Sequence, residues 1–76
     1  MPHVTVKLIA GPSPEQLEKA AKQIQAVLQE TLGKPTHVTS VAVEEYTAAQ
    51  WPDVYDECIE GNPNLVIKPG YPNPRG

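Results

Sequence analysis

The chain has no phenylalanine, one tryptophan and three tyrosines among its 76 residues, so an aromatic pocket has few candidate walls. A single cysteine, Cys58, excludes both an internal disulfide and a cysteine-based zinc site, and suits a reducing cytoplasm. Only six Lys and Arg stand against nine Asp and Glu, a net charge of −3. Phosphate contacts need a basic patch, so nucleic acid is not an expected partner. No apolar run approaches the roughly 18 residues of a membrane-spanning helix, and the N-terminus lacks a signal-peptide pattern. No membrane partner is therefore expected. With 39% hydrophobic and 20% charged residues, the chain does not have the composition of a disordered tail either. A glycine-rich phosphate loop, an H-E-x-x-H zinc motif and a G-x-S-x-G nucleophile turn are all missing. So short a chain is expected to be one domain over residues 1–76, with a turn-rich tail at 69–76.

What is present begins with a strand. Val4, Val6 and Leu8 alternate with His3, Thr5 and Lys7, the period of a strand with one buried face. Pro2 shares the apolar parity, and proline is tolerated at a strand's first position. Gly11-Pro12-Ser13-Pro14 breaks the strand. Ser13 with Gln16 reads as a capping box and Pro14 as the first helical residue. Leu17, Ala20, Ala21, Ile24, Val27, Leu28 and Leu32 then fall on one helical face, while Glu15–Lys19 and Glu18–Lys22 are i,i+4 pairs. Gly33 caps the helix and Pro35 stops it.

Residues 36–46 read as a second strand centred on 38–43, which makes a right-handed β-α-β unit with parallel strands. One or two short helical turns are expected over 47–55, with Pro52 near a helix start. Leu65-Val66-Ile67 reads as a possible short third strand, and the segment from Pro69 to Pro74 has no period. Two strands and one helix cannot enclose a core, so another copy must cover the second sheet face and at least one edge. The expected protein is an oligomer.

Candidates for chemistry are few. His3 and His37, both at expected strand ends, read as ordinary half-exposed residues rather than metal ligands or acid–base groups. Cys58 has no basic neighbour in sequence to lower its pKa, and reads as a packing residue. Glu44, Glu45, Asp53, Asp56, Glu57 and Glu60 read as a solvated acidic face, with favourable charge at a helix start, rather than a metal site. What remains is Met1-Pro2. A small second residue allows removal of the initiator methionine, leaving Pro2 with a free secondary amine. Unperturbed chain-terminal amines titrate at about 7.7–8.0, and apolar burial lowers that value. Such an amine can act as a general base without a histidine or a carboxylate.

These residues also carry a family resemblance. Met1-Pro2-His3-Val4-x-Val6-Lys7-Leu8, Gly11-x-Ser13-x-Glu15-Gln16 and Val41-Ala42-Val43-Glu44-Glu45 resemble the tautomerase superfamily, in particular the subgroup similar to 4-oxalocrotonate tautomerase. Trp51, Val54-Tyr55, Ile59, Gly61-x-Pro63, Leu65 and Lys68-Pro69-Gly70-Tyr71 resemble its short bacterial members, so the likeness runs from Pro2 to Tyr71.

The resemblance implies an α+β fold, a β-α-β protomer with parallel strands whose sheet extends across a dimer. Three such dimers form a hexamer in some members. It implies that Pro2 is the catalytic base and that Trp51 is an apolar wall of the substrate pocket, often supplied by a neighbouring subunit. It implies no cofactor and no metal. Two departures bear on the substrate. The family's carboxylate-binding arginines correspond here to Pro12 and Ser40, and the one arginine, Arg75, lies in what reads as a loose tail. Neither residue replaces a bidentate guanidinium. Poor activity on dicarboxylates such as 2-hydroxymuconate is therefore expected.

A small keto or enol acid with one carboxylate and an apolar body, such as an arylpyruvate, suits the chain better, with Ser40 donating one hydrogen bond. Lys7 reads as a solvated strand residue. The leading reading is a cofactor-independent keto–enol tautomerase. The alternative is a non-catalytic oligomer of the same fold that binds a small molecule or a protein. A dehalogenase or hydratase is disfavoured by the missing arginines. Pro2 and Trp51 favour catalysis.

Overall fold

The alternation at the start of the chain becomes strand β1, His3–Ile9, in a computed structural model that describes residues 1–76. Helix α1 follows as Pro14–Leu32. Its capping box is complete: the Ser13 hydroxyl accepts the Gln16 N–H at 3.2 Å, and Gln16 Oε1 accepts the Ser13 N–H at 2.8 Å. Pro14 occupies a position whose N–H would have no intrahelical partner, so its ring costs the helix nothing. At the other end Gly33 turns left-handed (φ 67°) and donates its N–H to the Gln29 carbonyl at 3.0 Å. Lys22 and Glu18 meet at 3.1 Å on the solvent side.

The second strand starts later than its sequence pattern suggests. Thr36–Val38 is a turn of 3-10 helix, and β2 runs Ser40–Tyr46. The cause is local hydrogen bonding that the alternation does not report. The Pro35 carbonyl accepts from the Val38 N–H (3.3 Å) and the Thr39 hydroxyl (3.0 Å), while the Thr36 carbonyl accepts from the Thr39 N–H (3.1 Å). From α1, Gln25 Nε2 donates to the carbonyls of Thr36 (3.3 Å) and Thr39 (2.8 Å), tying the helix to the turn. Thr39 is consequently the one buried polar residue, 6% exposed, with its hydroxyl satisfied. His37 therefore sits in this turn, not at a strand end.

Beyond the turn, β2 lies parallel to β1 in a two-stranded sheet. The Ser40 N–H donates to the Pro2 carbonyl at 3.1 Å, which sets His3 across from Ser40. One face of the sheet is polar: His3 meets Ser40, and Lys7 meets Glu44 at 3.7 Å. Lys7 is thus an ion-paired residue with 30% side-chain exposure, rather than a solvated one. The opposite parity, Val4, Val6 and Leu8, is half-buried, as are Leu17, Ala21, Ile24 and Leu28 of α1.

The segments Met1–Glu45 and Tyr46–Gly76 form two compact units. The second opens with a reciprocal pair of bonds that closes a turn ahead of its helix. The Thr47 N–H donates to Gln50 Oε1 (2.8 Å), and the Gln50 N–H donates to the Thr47 hydroxyl (3.2 Å). The expected short helix follows as α2, Trp51–Tyr55, with Pro52 in its first turn, and runs directly into a π-helical turn, Asp56–Glu60. Val54 and Tyr55 are the buried apolar residues of the chain, at 7% and 8% exposure.

Two expectations fail in this unit. Leu65-Val66-Ile67 is not a strand: the Leu65 N–H closes a turn onto the Asn62 carbonyl at 3.3 Å, and Val66 and Ile67 stand 93% and 82% exposed. β-Branched residues favour extended backbone, but a strand also needs a ladder partner, and the only sheet pairs β1 with β2. The tail is not loose. Arg75 forms ion pairs with Asp53 (2.5 Å) and Asp56, and donates to the Pro52 carbonyl at 3.1 Å. Asn73 Nδ2 donates to Asp56 (3.1 Å) and to Glu60.

Candidate active site

Pro2 lies one residue ahead of β1, half-buried, with Met1 fully exposed before it. Its position is set through its carbonyl, which accepts the Ser40 N–H, the first rung of the sheet. The start of β1 and the start of β2 thus bring Pro2 and Ser40 together.

The Ser40 hydroxyl belongs to a short polar chain across the open face of the sheet. His3 Nδ1 lies 2.6 Å from Ser40 Oγ, and His3 Nε2 lies 3.0 Å from Thr5 Oγ1. In the neutral imidazole one nitrogen donates and the other accepts, and either hydroxyl can rotate to match. If Nδ1–H donates to Ser40 Oγ, the serine proton is left free for an outside acceptor. His3 is thus the side chain that orients Ser40. Sequence reasoning passed it over because a histidine on a polar strand face carries no signal of its own. Pro12 stands exposed in the turn between β1 and α1 and supplies no donor.

Trp51 belongs to the second unit, at the start of α2. Its Nε1–H donates to the Tyr71 hydroxyl at 2.9 Å, and its ring meets Tyr46 edge-on at 6.4 Å between centroids. Tyr71 in turn lies 5.6 Å from Tyr55. The four aromatic side chains of the sequence form one connected group. The sequence did not signal that Tyr71 and Tyr55 meet, since Tyr71 lies in a tail without periodicity. Tyr71, Tyr55, Ile59, Leu65, Pro69 and Lys68 line a cleft of about 490 Å³.

Four of the six residues of the acidic stretch are partnered, while Glu45 and Glu57 stand exposed. Asp53 and Asp56 hold Arg75, Glu44 holds Lys7, and Glu60 accepts from Asn73. No three His, Cys, Asp or Glu side chains form a group able to hold a metal ion. The hydrogen bond to Asp53, with the charges of Asp56 and Asp53, raises the Arg75 guanidinium above its ordinary value against a smaller desolvation effect. Cys58 is half-buried and unpaired. No helix is long and apolar enough to cross a membrane.

Comparison with known proteins bears on the family of the chain. The model of the tautomerase enzyme family matches residues 2–60, which include Pro2, Ser40 and Trp51. A "Probable tautomerase" of Xylella fastidiosa (strain 9a5c) is 34% identical over 73 residues, spanning 93% of this chain and 89% of that protein. A "Probable tautomerase" of Bacillus cereus is 40% identical over 45 residues, 59% of this chain and 74% of its own length. Among solved structures, TomN is described as a 4-oxalocrotonate tautomerase homologue in the tomaymycin biosynthetic pathway. It superposes with a TM-score of 0.64 at 34% identity, covering 66% of this chain and 77% of its own. The β-α-β protomer, its parallel strands and the family match over most of its length lead to one conclusion: the chain belongs to the tautomerase family, and is an isomerase of that class.

Proposed function

We propose that the chain interconverts the keto and enol forms of a 2-keto acid bearing a single carboxylate, an arylpyruvate being the model substrate, with Pro2 as general base once Met1 is removed. The supporting observation is the seat of Pro2: half-buried at the start of the sheet, its carbonyl held by the Ser40 N–H, with only the exposed Met1 ahead of its nitrogen. A free secondary amine there takes the enol hydroxyl proton as the C=O bond forms. It then returns that proton to the neighbouring carbon, so no net change of oxidation state occurs and no cofactor is required. An apolar surrounding disfavours the ammonium form and keeps the amine basic near neutral pH.

Selectivity for one carboxylate follows from the commitment of the only arginine. Arg75 is bound to Asp53, Asp56 and the Pro52 carbonyl, so no guanidinium is left to clamp a second carboxylate. Ser40, oriented by His3, donates a single hydrogen bond to the substrate, and Trp51 of a neighbouring copy supplies the apolar wall. The working form is a homodimer or a hexamer of three dimers, in the cytoplasm.

Ketonisation of phenylpyruvate enol, followed by ultraviolet absorbance on protein whose mass shows Met1 removed, tests the reading. The rate should exceed the buffer reaction and fall at least about a hundredfold in Pro2→Ala, in line with the contribution of a general base. Full activity in Pro2→Ala, or in protein acylated at the N-terminus, overturns it.

A further inference from the structure

The cleft in the second unit has the size of a small-ligand site and has not been given a role. At about 490 Å³ it falls within the range of pockets that enclose small organic molecules. Its walls are held in place. Tyr55 is buried beneath it, Tyr71 leans on Tyr55 at 5.6 Å, and the Tyr71 hydroxyl is fixed by Trp51 Nε1–H at 2.9 Å. Ile59 projects from the π-helical turn, a backbone form costly enough that it often marks a working site. Asn62 is locked by donating to the Cys58 carbonyl (3.0 Å) and accepting from the Asn64 N–H (2.9 Å).

Two charged residues border this space. Glu60 is already engaged, its carboxylate accepting the Asn73 amide. Lys68 has no carboxylate within ion-pair distance and no other recorded partner, in a chain that carries excess negative charge. An uncommitted ammonium beside two tyrosine rings and three aliphatic walls recognises one negative charge on an apolar body. A dianion such as a phosphate monoester would leave its second charge uncompensated near Glu60.

We infer that this cleft binds an aromatic monocarboxylate, with Lys68 pairing the carboxylate and Tyr55, Tyr71, Ile59, Leu65 and Pro69 enclosing the ring. The inference does not depend on Pro2, because binding requires no proton transfer.

Titration calorimetry of the full-length protein with 3-phenylpropanoate and with its neutral primary amide tests it. The carboxylate should bind at least about tenfold tighter than the amide, the size expected for a hydrogen bond to a charged group. Lys68→Met should reduce the carboxylate to the amide's affinity, and Lys68→Arg should keep the preference. Lys68 is exposed, so neither substitution disturbs packing.

Kinetics then separate the two sources of such a ligand. A raised KM for phenylpyruvate enol in Lys68→Met identifies it as substrate, and an unchanged KM with lost propanoate binding identifies a second, substrate-like acid. Equal binding of acid and amide by the wild type, or an undiminished preference in Lys68→Met, overturns the inference. So does a Lys68→Met protein that changes oligomeric size but not ligand affinity, which would make the cleft a seat for another copy. Loss of ketonisation with Lys68-dependent binding intact would refute only the role of Pro2.

Discussion

Arg75 shows how one side chain can organise a segment with no regular structure. It is the only guanidinium, and its fork spans two carboxylates one helical turn apart, Asp53 and Asp56, while also reaching the Pro52 carbonyl. Because the pairing raises the pKa of a group already charged across the whole ordinary pH range, the favourable contribution is complete below the unfolded value and is lost only as pH rises through the still higher folded one. No stability change from Arg75 therefore falls in the neutral range, whereas salt acts directly on these half-exposed pairs. Hydrogen exchange of the 73–76 amides should speed up in Arg75→Met and in about 1 M NaCl, and Arg75 itself should contribute no change between pH 7 and 9. Trp51 makes a comparable link through a neutral bond. Trp51→Phe keeps a ring but loses the donor to Tyr71, which should lower stability by about 0.5–1 kcal/mol in urea unfolding.

Among the secondary-structure elements, the ends carry more information than the middles. Both S/T-x-x-Q stretches, 13–16 and 47–50, close into reciprocal hydrogen-bond pairs, the first capping a 19-residue helix and the second closing the turn before a five-residue one. Ser13→Ala should cost about 1 kcal/mol by leaving the Gln16 N–H without its partner. The π-helical turn ends differently. Gly61 donates to the Asp56 carbonyl at 2.8 Å, and a Cβ on Gly61 would lie 2.8 Å from that same oxygen. Gly61→Ala should therefore destabilise the second unit by about 1–3 kcal/mol, the usual cost of overpacking, read as a lower urea midpoint. These ends also show why the third expected strand was misread: Leu65-Val66-Ile67 has the right residue types, but propensity describes how a residue fits a sheet and does not create a partner strand.

Across the full chain, the main consequence is how little is buried. Two apolar residues fall below a tenth exposed, and Val27, Leu32, Val66 and Ile67 keep large apolar side chains at the surface. A 76-residue chain with this burial needs another source of stability, and the proposed association with further copies would supply it. Sedimentation should give a mass well above the 8.3 kDa of one chain, and Val27→Asp should shift it downward by placing a charge on the exposed apolar surface of α1. A wild-type monomer would remove the basis for a site completed by a neighbour's Trp51.

The parts legible from residue order were those governed by neighbours a few positions apart. Alternation along 3–8 placed β1, the 3.6 period with Ser13, Pro14 and Gly33 placed α1 within its observed bounds, and the strand–helix–strand order implied parallel pairing. Pro2 and Ser40 were singled out as candidates, and their meeting at the first rung of the sheet follows from that pairing. Everything that depended on a partner far along the chain was settled by folding. Gln25 shortens β2 from eleven or more residues away, Arg75 gathers the tail from some twenty, and Tyr71 reaches Trp51 across a similar span. Periodicity records which face a residue presents. It carries no record of which distant carbonyl, carboxylate or ring will satisfy a polar group, because that choice is made by the free energy of the assembled chain.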